Sequence, residues 1–238
     1  MRPEDCQRIA VTEVAEILNV NKSSASRLLQ TLSSYGYVER DGDSRAYVLG
    51  PKMQNASQPG RKTVFRDLAR PFLYQLMKLS GECAHTAIVA QGQALIIDDV
   101  ESASSLRVSG SIGRIEHLHC TAVGKCLLAF LELPLPKNLP QLTPRTFSNH
   151  GALKLHLKEI KKQGYALDDE ENTEGVRCLA APVYDASDAA IACIGISGPT
   201  VRMTLESLPK YIKMILESSK ELSISLGYKG NIPALAKR

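Results

Sequence analysis

Between Gly164 and Asp185 the chain reads GYALDDEENTEGVRCLAAPVYD. Five carboxylates fill the seven positions from Asp168 to Glu174, and Cys178 stands where the stretch turns apolar. Three chemistries use such residues: cation binding, acid–base catalysis, and nucleophilic attack by Cys178 with Asp168 as its base. Neighbouring carboxylates in one loop are too adjacent to converge on a single ion, so most of them are expected to face water or cap nearby backbone. Cys178 lies in an apolar strand-like run without a sequence-close base, and buried thiols are usually inert. No G-x-S-x-G elbow occurs, which leaves a serine-hydrolase reading without support.

Two further clusters carry chemistry. On a strand, His117 and His119 would share a face beside Cys120, but zinc needs three or four ligands and no second pair is near in sequence. In His119-Cys120-Thr121-Ala122-Val123-Gly124-Lys125 the chain runs into a helix among small side chains. Free amides at such a start can seat an anion, although a plain N-cap by Thr121 is the simpler reading of this feature alone.

The elements that must position these groups follow from periodicity. With 238 residues and 44% hydrophobic content the chain can build a sizeable core, and two domains are expected. Apolar runs fall short of the roughly 20 residues that span a bilayer. The six cysteines contain no CxxC pair, and they read as reduced cytosolic thiols. The formal charge is +4, but residues 1–52 hold seven Lys or Arg and seven Asp or Glu, so bulk charge does not point to nucleic acid.

Placement of charge is more informative. Thr12 can cap a short helix carrying Val14, Ile17 and Leu18, and Asn21 can cap a second one. In the second helix Ala25, Leu28, Leu29 and Leu32 follow the spacing of a buried stripe, while Ser23, Ser26, Arg27 and Gln30 repeat on the opposite side. Gly36 ends it, and residues 37–40 and 46–49 alternate like strands around a turn containing Arg45. Helix, turn, helix and hairpin is the winged helix-turn-helix order, in which the second helix enters the major groove. Lys22 and Arg27 suit phosphates or guanine edges, and the serines allow close approach.

Residues 51–62, rich in polar residues, Pro and Gly, mark a boundary. An amphipathic helix over 64–79 would bury Phe65, Leu68, Phe72, Leu76 and Leu79, with Pro71 kinking or restarting it. Strands are expected over 84–90, 94–100, 106–112, 178–184 and 191–197, with helices from Thr121, over 153–163 and over 204–226. That order predicts an α+β domain with a mostly antiparallel sheet. The boundaries are 1–52 for the helix-turn-helix, 53–80 for the linker helix and 81–238 for the second domain.

With these parts in place, the segments NKSSASRLLQTLSSYGYVERD, HCTAVGKCLLAF, GYALDDEENTEGVRCLAAPVYD and IGISGP resemble the IclR family of bacterial transcriptional regulators in order and spacing, over residues 11–228. The resemblance implies a cytoplasmic, dimeric or tetrameric DNA-binding regulator. Its GAF-like C-terminal domain would bind a small organic acid that shifts affinity for an operator upstream of catabolic genes. No catalytic residue, cofactor or metal is implied. DNA contacts would fall on Lys22, Ser23, Ser24, Ser26, Arg27 and Gln30, with Arg45 in the wing. Effector contacts would fall on Ala122, Val123, Asp168, Cys178, Gly195 and Ser197, with Leu106 or a close neighbour as an apolar wall.

Two positions depart from the family pattern. Before Val11, where the family carries a long amphipathic helix, the chain has MRPEDCQRIA. Leu18, Leu28 and Leu32 are then expected to lack a packing partner. Gly195 replaces a frequent serine, and the expectation is either a roomier pocket or a carboxylate held through backbone amides and Ser197. An alternative expectation is a small-molecule sensor that acts through protein partners instead of DNA.

Overall fold

The computed structural model describes residues 8–42, 46–50, 59–108 and 112–230. Arg45 and the rest of the wing turn at 43–45 lie outside the described residues, as do 51–58 of the expected linker. The structure divides into two compact units, with the break between Val64 and Phe65.

The first unit runs β1 (Ile9–Ala10), α1 (Val11–Ile17), α2 (Lys22–Ser34), β2 (Val38–Arg40) and β3 (Ala46–Leu49). Ala10, rather than Thr12, caps α1, because the Glu13 carboxylate reaches back 2.6 Å to the Ala10 N–H. Asn21 Oδ1 accepts from the Ser24 N–H at 2.8 Å and starts α2. Its end is a Schellman motif: Gly36, at φ +75°, donates to Ser33 O and Tyr37 donates to Leu32 O. Only glycine enters that left-handed conformation cheaply. Antiparallel pairing in the order β1-β3-β2 adds a third strand to the expected hairpin. Val14, Ala15, Ala25, Leu29 and Tyr47 form the small core. Leu28 departs from the expected stripe, being 43% exposed, and Leu18 is 49% exposed.

The second unit takes in most of α3 (Pro59–Ser80), then β4 (Cys83–Ala90), β5 (Gln93–Val100), β6 (Ile115–Glu116), α4 (Ala122–Phe130), α5 (His150–Gln163), β7 (Ala166–Asp169), β8 (Val176–Tyr184), β9 (Ala190–Pro199) and α6 (Leu208–Ser225). The sheet is antiparallel throughout, ordered β6-β5-β4-β9-β8-β7. Alternation along each strand divides its side chains between two cores. Ala84, Ile88, Leu179, Ile194 and Ile196 pack with α3 and α6. Ala87, Ile96, Ala166, Ala180 and Cys193 pack with α4 and α5. Every residue of α4 from Ala122 to Ala129 is buried, as expected of a helix held between a sheet and a second helix.

Three expectations change. Pro71 does not interrupt α3; it is exposed, and Phe65, Ala69, Leu73 and Leu76 carry the buried face, leaving Leu68 and Leu79 in solvent. Tertiary packing of that stripe outweighs the lost amide hydrogen bond. Within the expected strand 106–112, the described residues 106–108 and 112 are irregular, and β6 pairs with β5 instead. His117 lies in an irregular segment and His119 in the turn that follows it, not on a strand.

Candidate ligand cavity and nucleic-acid interface

Strand register assembles the floor of a cavity on the α4 side of the sheet. Asp168 on β7 lies opposite Cys178 on β8, which lies opposite Ser197 on β9. One row further along, Gly195 lies opposite His85 on β4. Over this floor stand Thr121, Ala122 and Val123 at the start of α4, and the walls are completed by Ile96, Arg107, Val108, Arg114, Glu116, Asn172, Thr173 and Val176. The cavity is partly open to solvent and its volume is about 320 Å³, at the lower end of the range for small-molecule sites.

The start of α4 is built for close approach. Thr121 Oγ1 accepts from the Gly124 N–H at 3.0 Å and donates to His117 O at 2.6 Å. A Cβ on Gly124 would lie 2.3 Å from His117 O, so glycine is required where the helix crosses that backbone. Thr121 is thus the cap expected from sequence. The amides of Ala122 and Val123, first in the helix, find no acceptor among the described residues.

The acidic stretch resolves into separate partnerships. Asp168 Oδ1 accepts from the amides of Glu171 at 2.8 Å and Asn172 at 3.3 Å. Asp169 pairs with Arg177 and Arg145. Glu170 takes the Gly175 N–H at 2.8 Å. Glu171 forms an ion pair with Lys125, whose ammonium is fully buried, donates to Leu167 O at 2.6 Å and lies 5.4 Å from the Phe147 ring. Glu174 is exposed. Among the described residues no three His, Cys, Asp or Glu side chains converge as metal ligands would.

Burial sets the charge state of the floor. It pushes the Asp168 carboxyl up to about 7, with the nearby Lys125 ammonium pulling the other way. Burial holds the His85 imidazole down at about 4, so the ring is neutral at physiological pH. The Cys178 thiol is raised well above its usual range by burial, and its sulfur accepts from Ser197 Oγ at 3.0 Å. Such a thiol is a poor nucleophile.

Five of the residues expected from sequence meet in this cavity: Ala122, Val123, Asp168, Cys178 and Ser197. Gly195 lies beneath His85 instead of in the lining. Leu106 is 60% exposed and outside the cavity; Arg107 and Val108 take its place. Sequence reasoning missed His85, Arg107, Arg114, Glu116, Asn172 and Thr173. Only His85 left a signal, as the one histidine in the otherwise small and apolar β4.

The face of α2 opposite its core is polar. Lys22, Ser23, Ser24, Arg27 and Gln30 are exposed and Ser26 is half-buried. Lys22 and Arg27 have no carboxylate partner among the described residues. Unpaired cations on a helix face suit a polyanion.

A winged helix-turn-helix unit followed in the same chain by a sheet domain enclosing a ligand-sized cavity defines a two-part regulator of transcription. The family described as "Bacterial transcriptional regulator IclR C-terminal" matches residues 61–224, and "IclR helix-turn-helix domain" matches 4–42. The chain is 34% identical over 225 residues to the HTH-type transcriptional regulator BhcR of Paracoccus denitrificans, covering 92% of this chain and 81% of that protein. It is 32% identical to the HTH-type transcriptional regulator KdgR of Escherichia coli over 231 residues, covering 93% and 87%. Among solved structures, the Thermotoga maritima IclR superposes with a TM-score of 0.64 at 32% identity, covering 94% of both chains. This chain belongs to the IclR family: it is a DNA-binding transcriptional regulator, not an enzyme.

Proposed function

We propose that the protein is a cytoplasmic repressor of a catabolic operon, working as a homodimer or tetramer, whose operator affinity is set by a small organic acid in the cavity. The observation that carries the acid reading is the charge balance of the lining. The lining holds two guanidinium groups, Arg107 and Arg114, and two carboxyls, Glu116 and Asp168; Arg114 pairs with Glu116 at 3.1 Å, and Arg107 pairs at 3.0 Å with Glu101 outside the lining. Burial raises both carboxyls, Asp168 to about 7. Protonation of Asp168 removes the unpaired negative charge of the lining, so a carboxylate can approach the free amides of Ala122 and Val123 and the remaining donors of the two guanidinium groups without repulsion. DNA contacts fall on Lys22, Ser23, Ser24, Ser26, Arg27 and Gln30, with Arg45 added from the wing.

Coupling between such sites amounts to about 1–3 kcal/mol, or roughly 5- to 150-fold in operator affinity. The effector needs only to bind one of the two states more tightly. A footprint on DNA upstream of the protein's own gene, with and without a panel of carboxylic acids, tests the proposal. A protected site whose affinity changes with one acid is expected. Protection that no acid alters refutes effector control, and absence of any protected site favours a sensor acting through protein partners.

A further inference from the structure

His85 is the one polar side chain of the cavity floor that no other group explains. It is 7% exposed, and neither ring nitrogen has a hydrogen-bond partner among the described residues. Its place depends on the strand beside it. A Cβ on Gly195 would lie 2.6 Å from His85 Nε2 and 3.2 Å from its Cδ2, so the ring occupies the space above the glycine that any other residue would fill. That Cβ would also meet Leu179 O at 3.0 Å, and backbone on the far side leaves little room to yield. The absence of a side chain at Gly195 is therefore what seats an imidazole in the floor.

The chemistry of that floor is directional. Ser197 Oγ spends its proton on Cys178 Sγ and presents lone pairs to the cavity. The neutral imidazole presents one acceptor and one donor. A carboxylate only accepts, and Arg107, Arg114 and the α4 amides already offer it donors. The acceptors on the floor require a ligand group that donates as well as accepts, and a hydroxyl does both. We propose that His85, seated by Gly195, is a specificity residue that selects carboxylic acids carrying a hydroxyl group over their deoxy counterparts. The inference rests on the reading of the cavity as an acid site.

Calorimetric titration of the full chain with matched pairs separates the two ideas: lactate against propionate, malate against succinate, gluconate against hexanoate. In the pair that binds, the hydroxy acid should be favoured by about tenfold, since a buried polar group left without its partner is strongly penalised. His85→Leu and Gly195→Ala should each shrink that ratio below about threefold, whereas His85→Gln, which keeps a donor and an acceptor, should preserve part of it. His85→Phe replaces the leucine variant if the latter does not fold. No binding by any acid overturns the acid reading itself. Acids that bind without preference, or a preference that survives loss of the imidazole, overturn the role of His85 alone.

Discussion

Replacing Asp168 by asparagine should make the protein more stable at pH 8 and leave it nearly unchanged near pH 4. Asp168 is 2% exposed, and desolvation raises its carboxyl from 3.8 to about 7 despite the Lys125 ammonium and two backbone donors. Glu171, also facing it, pushes in the same direction as burial. Between those two values the folded protein holds a proton that the unfolded chain releases, so this group's contribution falls as pH rises and levels off above about pH 7. At about 1.36 kcal/mol per pH unit, ionised Asp168 costs folding about 4 kcal/mol at pH 8. Asparagine keeps an acceptor for the Glu171 and Asn172 amides but loses the charge that strengthens those bonds. A net gain of about 2–4 kcal/mol is therefore expected at pH 8, shrinking below about 2 kcal/mol at pH 5. Urea denaturation of both proteins at pH 5, 6, 7 and 8 measures it. A variant less stable than the parent at pH 8, or a difference that does not change with pH, would refute the assignment of a protonated carboxyl. The same titration predicts that affinity for an anionic ligand declines above pH 7 in the parent and stays level in the asparagine variant.

Lys125→Met should cost about 3–5 kcal/mol in urea denaturation at pH 7, because it strands the Glu171 carboxylate in the protein interior; a loss under about 1 kcal/mol would mean that the pair is not buried as described. Arg27→Ala should weaken binding to the upstream DNA and lower the slope of log affinity against log salt by about one, read from mobility shifts at several salt concentrations. An unchanged slope would remove Arg27 from the phosphate contacts.

Local signals were legible where they act locally. Asn21 and Gly36 bracket α2 in the sequence as they do in the structure, since a cap and a left-handed terminus need only neighbouring backbone. The face of α3 was misread because Leu68 and Leu79 outrank Ala69 on any hydropathy scale. A close-packed helix on a sheet instead favours the small residue in line with Phe65, Leu73 and Leu76. Strand β7 stayed hidden because its second half is Asp168-Asp169, residues with poor strand propensity. Arg145 and Arg177, from other parts of the chain, compensate for that. Five cavity residues were found through family resemblance. Arg107 and Arg114 could not be, since they come from irregular segments without periodicity. The role of His85 depends on Gly195, a register partner far away in the chain.

The carboxylates that first suggest catalysis are mostly structural, and this explains how an acid-rich loop can border the site proposed for an organic acid. Asp169, Glu170 and Glu171 are committed to arginines, a backbone amide and Lys125, while of the loop's carboxylates Asp168 alone lines the cavity, and burial raises it to about 7. Lys125 belongs to α4, the helix whose first residues stand over the cavity, so the ion pair joins the cavity-lining start of that helix to the cavity-lining loop as one unit. A ligand that spans Val123 and Asp168 draws on both ends of that unit. The strand beneath offers the way out: His85 faces the cavity, and its neighbour Ala84 faces the opposite core with Leu73 and Leu76 of α3. That helix is the part of the second unit nearest in sequence to the reading head. A ligand that repositions His85 over Gly195 therefore acts on a strand whose other face shares a core with α3, and variants at His85 should alter coupling as well as affinity.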